Sequence, residues 1–371
     1  MKLAIIGAGP GGLYAALAAV KQNISVDLYE KKQVGEGICC GECLFDSLGI
    51  MPQLGEGLLH PVREVILKGR DHYGINMSRR RKLWMLDRKT WQQGLAKQAV
   101  AQGICLFEQT EITPDRLLAM QKDYDWIIDG SGAPSITSRA YHFSREYFRD
   151  YMAAYQVVLK GDFSALWPRI KVGFISDLPA ELQAGYYWIF PKDERHANTG
   201  VVCTVHEIQD KERLQLKKRL ANVLIDEKLT GAEIIESGGG MASVRILPRL
   251  VFDNIILIGD AAGLTSPLHG GGIDMACFSG ALAVSFLTDG SQDVGEYQKS
   301  LTASLEDKLN LEATAVQKMK ALNFCDFDKL LAGVTSQRNT IRAKTALRHP
   351  DLLYATYRWL EKKVEPPNWP D

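Results

Sequence analysis

The sequence predicts a mixed α/β chain, α+β overall: a parallel-sheet domain, an antiparallel-sheet domain that interrupts it, and a helical C-terminal extension. Three observations carry this. The first thirty residues read strand, glycine turn, helix, strand. From about Tyr141 to Val205, aromatic and β-branched runs follow one another with no helical period between them, as in an antiparallel sheet. The last seventy residues carry leucine-rich helical spacing around Leu301 to Leu322 and Leu352 to Trp359, then a proline-rich tail. The expected division is 1–60, 86–140 and 250–300 for the discontinuous first domain, 61–85 and 141–249 for the second, and 301–371 for the helical region.

The opening stretch is MKLAIIGAGPGGLYAALAAVKQNISVDLYE. Leu3 to Ile6 is an apolar run of strand length, and Ser25 to Tyr29 is a second strand ending at Glu30. Between them lies a Gly-x-Gly-x-x-Gly turn of Gly7, Gly9 and Gly12, with Pro10 and Gly11 inside it. This is the order of a Rossmann-like dinucleotide-binding unit. Gly7 permits the sharp turn, Gly9 lets a pyrophosphate approach the backbone, and Gly12 lets helix and strand pack closely. The helix N-terminus favours phosphate, and Glu30, with Lys31 beside it, sits where a carboxylate receives an adenosine ribose hydroxyl. The unit alone does not choose between NAD and FAD.

Further along, Leu44 to Leu48 reads as a short helix, and Arg63 to Lys68 with Tyr73 to Ser78 as a strand pair. In LWMLDRKTWQQGLAKQAVAQG, Trp91, Leu95 and Gln98 or Ala99 recur at helical spacing. Ile104 to Gln109 and Tyr124 to Asp129 read as strands, and His206 to Lys228 as a charged surface helix. The glycine-rich ESGGGMAS reads as a separator before the βα pattern returns at Asn254.

Composition bounds the class. The chain is 46% hydrophobic and 24% charged, with 44 basic and 44 acidic residues. Zero net charge argues against a nucleic-acid binder. No run of about 18 apolar residues occurs, and the first strand begins almost at Met1, so no membrane span and no signal or transit peptide is expected. Seven cysteines without a secretory signal suit a reducing interior, so the expected location is the cytoplasm.

The second informative stretch is GDAAGLTSPLHGGGIDMACFSG. Asp260 follows an apolar strand, at the end where parallel sheets hold ligands. Gly270, Gly271 and Gly272 carry no side chain to keep a flat ring away, and the helix opening at Ile273 stabilises negative charge. This pattern resembles the second flavin signature of FAD-dependent oxidoreductases with the aromatic-hydroxylase fold. Leu86-Asp87-Arg88 resembles the family's LDR element, which implies that Arg88 lies along FAD; read alone it is a capped helix start. Asp129-Gly130 resembles the family's DG at a strand end; read alone it is a turn.

Within that family, Tyr186-Tyr187-Trp188-Ile189-Phe190-Pro191 with Asn198-Thr199-Gly200 is similar to the YxWxFP…NxG element of the geranylgeranyl reductases. Cys40-Gly41-Glu42 resembles their Cys-Gly element beside the flavin. The resemblance covers roughly the first 300 residues. Tyr186, Trp188 and Phe190 alternate along a strand and share one face, which suits either an apolar substrate wall or core filling. Cys40 and Cys43 form a CxxC with Cys39 adjacent. A redox disulfide would fit a second nucleotide fingerprint, which is absent, so Cys40 is read as a thiol near the flavin, with no metal site. His269 beside the glycine loop is read either as a proton donor or as a loop histidine satisfied by backbone. The basic run Arg79, Arg80, Arg81 and Lys82 suits a diphosphate, NADPH or an anionic membrane, or simply a solvated strand edge.

The resemblance implies an FAD-dependent reductase of C=C bonds in a polyprenyl or other apolar substrate, with NAD(P)H or another reductant as transient electron donor. The pyrophosphate would rest on the residues around Gly9, with Arg88, Asp129, Gly130 and Asp260 alongside, and Gly270 to Ile273 would back the ring. Tyr186, Trp188 and Phe190 would line the substrate cavity, with Cys40 and His269 as catalytic candidates. Two other readings stay open: a flavin monooxygenase of a small or aromatic substrate, and a flavin electron-transfer protein docking a redox partner. Peripheral membrane contact through Trp359, Lys362 and Lys363 goes with the lipid reading.

Overall fold

The computed structural model describes residues 1–52, 54–77, 82–175, 182–206, 214–288, 294–361 and 364, with the backbone alone for 182–184 and 359. Arg79 to Arg81, Lys362, Lys363 and the Trp359 side chain, all named above, lie outside the described residues.

The chain opens with β1 (Lys2–Ile6), α1 (Pro10–Lys21) and β2 (Ser25–Tyr29). It continues through β3 (Cys43–Phe45), β4 (Leu58–Pro61), the hairpin β5 (Glu64–Lys68) and β6 (His72–Asn76), then β7 (Leu83–Leu86) and α2 (Arg88–Ala101). Next come β8 (Cys105–Phe107), α3 (Pro114–Met120), β9 (Trp126–Asp129) and α4 (Ile136–Ala140). The middle holds β10 (Asp150–Lys160), β11 (Ile170–Phe174), β12 (Leu182–Pro191), β13 (His196–His206), α5 (Leu216–Asp226) and β14 (Glu233–Ser243). The chain ends through β15 (Val251–Phe252), β16 (Ile255–Leu257), α6 (Ile273–Thr288), α7 (Tyr297–Ala321), α8 (Phe324–Thr335), α9 (Asn339–Arg348) and α10 (Pro350–Glu361).

Among the described residues the first sheet has the order β15-β16-β9-β1-β2-β8. Its inner strands are parallel, with Ile5 opposite both Leu28 and Ile128, and β1 is buried from Leu3 onward. That burial is why it reads as an unbroken apolar run. Pro10 begins α1 with φ already suited to a helix. The helix is buried on nearly every side because α6 crosses it closely: a Cβ at Gly280 would stand 2.2 Å from Gly11 O. Small residues in both helices therefore serve the crossing as well as the turn.

The second sheet has the order β14-β10-β13-β12-β11-β5-β6. It is antiparallel except where β5 lies parallel to β11, with Val65 opposite Ile170. The 61–85 hairpin joins the later strands in this way, across a long sequence gap.

Three local expectations are corrected. Leu44 to Leu48 is not a helix: Cys43–Phe45 pairs with β7, Leu44 opposite Trp84, in a small β3-β7-β4 sheet. Ser47 and Leu48 donate instead to Asp274 of α6. The apolar LWML is strand rather than helix, and Asp87 caps α2 by accepting from Thr90 N at 3.0 Å. Finally, ESGGGMAS is edge strand, not separator, with Gly239 opposite Tyr155 of β10. Glycine is a poor strand former, yet a Cβ at Gly239 would come 3.1 Å from Ala154 O, so backbone closeness selects it.

The last quarter is helical, as expected. α7 buries Tyr297, Leu301, Leu305 and Val316, and with them three ionisable residues, Asp307, Lys308 and Glu312. No helix among the described residues is long and apolar enough to cross a membrane.

Candidate active site

The two large sheets enclose a cleft of ≈ 490 Å3, floored by β10, β13 and β14 and roofed by the loops after β1, β9 and β16. Gly7 and Gly12 meet the backbone requirements expected of them. Gly7 has φ +97°, and a Cβ there would lie 2.5 Å from Gly130 O. A Cβ on Gly12 would lie 1.9 Å from Gly7 O, so helix and turn can touch. In front of Gly9 the space is open, and this open surface lies at the α1 N-terminus, where no side chain caps the N–H groups. Such a cradle suits an anion.

Glu30 ends β2 at the same edge. Its carboxylate receives Ala8 N–H at 2.9 Å and Lys32 N–H at 3.0 Å, which fixes it at the cleft wall with lone pairs to spare. Lys31 lies outside this cleft, in an adjoining cavity of ≈ 840 Å3 shared through Gly35, Gly37 and Cys40. Arg88 reaches the cleft from the start of α2 and donates through Nε to Gln92, whose amide in turn holds Ala8 O. Across from it, Asp260 sits on the turn after β16 and accepts from Thr265 Oγ1 at 3.2 Å. Enclosure by the cleft walls pushes its carboxyl up, and Arg88 opposes the shift.

Asp129 is placed differently from the expectation. It is fully buried behind the cleft, where it accepts from Ser131 N, Thr137 N and Thr137 Oγ1. It therefore shapes the turn, and Gly130, Ser131 and Gly132 present the surface. Gly12 likewise acts behind the wall rather than in it.

At the far end the loop Gly270-Gly271-Gly272 enters α6 at Ile273. Ser266 closes the loop by receiving Gly270 N–H on its carbonyl and giving its own N–H to Gly271 O. Facing it are Tyr186, Trp188 and Phe190 of β12, with ring centroids 6.2 and 6.1 Å apart along the strand. These rings do more than line a wall. Tyr186 Oη donates to His269 O at 2.6 Å, tying the sheet to the glycine loop. Trp188 Nε1 donates to Asn198 Oδ1 at 2.9 Å, and Asn198 Nδ2 donates to Cys40 O, also at 2.9 Å. The separated sequence motifs thus form one connected unit beneath the Cys40 loop.

All seven cysteines are free thiols. Cys40 lines both cavities, and Glu42 N–H points to its Sγ at 3.4 Å. Burial pushes the neighbouring thiols up, Cys39 to about 11 and Cys43 further, so neither is a ready thiolate. His269 lines the cleft, but its nitrogens face the protein. Nδ1 accepts Gly271 N–H at 3.1 Å, and Nε2 lies 3.3 Å from Glu312 Oε1. Backbone thus satisfies Nδ1, as in the reading of a loop histidine, while Nε2 is buried without a hydrogen-bond partner among the described residues and is not turned into the cleft for proton donation.

Sequence reasoning missed the cleft floor of Met152, Ala154 and Gln156, although their period-two spacing on β10 was available. Glu42, quoted with the Cys-Gly element but given no role of its own, accepts from Lys192 Nζ at 2.8 Å. No sequence signal marked Glu312.

An open phosphate cradle, an acid at the end of β2, Arg88 opposite Asp260 and a glycine-walled flat end fit FAD, whose two halves such a cleft would hold in turn. Fold and site fit an FAD-dependent oxidoreductase with a Rossmann-like domain, and the NAD(P)-binding Rossmann-like domain model matches residues 5–40. The similarity to the geranylgeranyl reductases is borne out. The chain is 28% identical over 369 residues to the digeranylgeranylglycerophospholipid reductase of Thermoplasma volcanium, covering 90% of this chain and 91% of that protein. A geranylgeranyl bacteriochlorophyll reductase-like structure from Thermoplasma acidophilum matches with TM-score 0.76 at 21% identity, over 96% of this chain and 98% of the other. The flavin-dependent halogenase CmlS shares the fold more loosely, with TM-score 0.64 and 17% identity over 97% of this chain and 77% of its own.

Proposed function

We propose that the protein reduces C=C bonds in the isoprenoid chains of a membrane phospholipid or a similar polyprenyl molecule. The carrying observation is that Tyr186, Trp188 and Phe190, the Cys40 loop and the Gly270–Gly272 loop wall one cleft, in a chain similar over nine-tenths of its length to a lipid reductase. FAD, once reduced by NAD(P)H or another donor, supplies the hydride for one alkene carbon.

The chain's own residues bind and orient. Gly9, Glu30, Arg88 and Asp260 would hold the cofactor, and Gly270 to Ile273 would back its ring. The aromatic strand and Met152 set an apolar alkene against it and exclude water, which favours transfer by proximity. Cys40, which lines the cleft, would hold at Sγ the proton for the second alkene carbon, with Asn198 fixing its backbone. His269 instead belongs to the loop.

Lipid access is a finer reading, and it has a surface to go with it. α10 exposes Leu353, Tyr354 and Tyr357, and Leu347 before it is 76% exposed. Arg342, Lys344 and Arg348 of α9 are exposed beside them, and no acid falls between Gln337 and Pro350. An apolar helix face flanked by cations suits shallow insertion into an anionic bilayer. The free thiols suit a reducing, cytoplasmic side of that membrane.

The test is anaerobic. Flavin-loaded protein is photoreduced and mixed with a geranylgeranyl phospholipid; the reading expects the oxidised flavin absorbance to return without oxygen. If it returns only when oxygen is admitted, with oxygen-atom insertion into a substrate, the protein is a monooxygenase instead.

A further inference from the structure

Three ionisable side chains meet behind the glycine loop, outside the roles assigned so far. Lys308 and Glu312 stand one turn apart on α7 and are almost fully buried, with Nζ 2.5 Å from Oε1. The same Oε1 lies 3.3 Å from His269 Nε2, an ion-pair contact without hydrogen-bond geometry, and neither that nitrogen nor Glu312 Oε2 has a hydrogen-bond partner among the described residues. Burying a charged pair costs free energy that pairing rarely returns in full, so an apolar pair would serve stability as well. A purely structural purpose therefore does not explain this one.

The hydrogen bonds indicate what it does. Because Nδ1 of His269 accepts the Gly271 N–H, it carries no proton, and the neutral ring holds its proton on Nε2, toward Glu312. The other tautomer would set an N–H against an N–H. His269 is also anchored at its carbonyl by Tyr186 and at its N–H by Ser266 Oγ. The side chain thus joins α7 to the loop, much as a carboxylate behind a metal-bound histidine fixes that ring's tautomer.

We propose that Glu312 is a positioning residue for the flavin loop: it holds His269 in the Nε2–H tautomer, so that Nδ1 latches Gly271 and sets the shape of Gly270–Gly272 against the isoalloxazine. Lys308 keeps Glu312 ionised. Burial alone would raise that carboxyl, but His269 and Lys308 hold it well below the ordinary carboxylate range. The C-terminal helical region is then part of the cofactor site. A Cβ at Gly271 would come 2.8 Å from Nδ1, so the latch also accounts for glycine at that position. The proposal rests on the reading that this loop backs the flavin.

Two neutral double variants separate the latch from charge burial. Lys308→Met with Glu312→Gln keeps an acceptor for Nε2–H; Lys308→Met with Glu312→Leu removes it, and neither leaves an unpaired buried charge. Ring nitrogen NMR of His269 in the cofactor-free protein should show the Nε2–H tautomer in the wild type and the Gln variant, and exchange between tautomers in the Leu variant. Hydrogen exchange at the Gly271 amide should quicken about tenfold in the Leu variant only, and FAD should bind about tenfold more weakly, the loss expected for one hydrogen bond. The proposal is overturned if the wild-type ring carries its proton on Nδ1, or if the two variants match in Gly271 exchange. If the latch behaves as expected but FAD affinity is equal in all three proteins, the flavin role of the loop fails while the Glu312–His269 contact stands.

Discussion

Gly200 exists to make room for Trp188: a Cβ at residue 200 would lie 2.3 Å from the indole Cζ2 and 2.7 Å from Tyr155 O. The two residues face each other across paired strands, Trp188 directly opposite Gly200 in the β12–β13 register. The indole can lie flat only over glycine, and from that position its Nε1 reaches Asn198. Replacing Gly200 by Ala should therefore overpack the sheet and cost about 1–3 kcal/mol. Denaturant unfolding would measure the loss, and tryptophan fluorescence would report the displaced ring.

Asn198 connects Trp188 to Cys40, so its loss should disturb the active face more than the fold. Asn198→Ala leaves both Trp188 Nε1 and Cys40 O without their partners, at about 1–3 kcal/mol for a buried unsatisfied group. We expect kcat/KM to fall at least tenfold while FAD stays bound. Equal losses in FAD affinity and turnover would instead place Asn198 in the cofactor site.

Cys40 is the group assigned to the proton. Cys40→Ala should lower single-turnover reduction of the alkene about 10²–10⁴-fold, the span usual for losing an acid–base group. Flavin reduction by its donor should be unaffected. A Cys40→Ser protein with full activity would remove Cys40 from the chemistry.

Acid should weaken the back of the antiparallel sheet through Glu227. Burial alone would raise its carboxyl, but Lys171, Lys68 and Tyr187 hold it at about 2. Its folded pKa is thus below its unfolded value. The stabilisation is complete above pH about 4.5 and is lost as pH falls through about 2, roughly 3 kcal/mol in all by linkage. Comparing wild type with Glu227→Gln by denaturant unfolding should show a gap at pH 6 that narrows steadily toward pH 2.

The βαβ unit was legible because Gly7 and Gly12 answer to backbone requirements that only glycine meets. The aromatic strand was legible for its spacing, although its hydrogen bonds to His269 and Asn198 were not. Where the sequence misled, long-range contact overrode local preference. Leu44 looks helical until Trp84 pairs with it, and the glycines of β14 look like a linker until β10 lies beside them. Asp129 looked like a ligand because its neighbour Gly130 lines the cleft. Lys308 and Glu312 carry the spacing of an ordinary solvent-facing pair. Nothing local shows that α7 turns this face inward.

The cleft is expected to reduce an isoprenoid double bond. The most direct measurement is the product mass from an anaerobic single turnover, with excess photoreduced protein and a geranylgeranyl phospholipid. A gain of two hydrogens per reduced double bond is expected, lost in Cys40→Ala. Unchanged lipid with the flavin still reduced, or a product heavier by one oxygen atom once air is admitted, would contradict it.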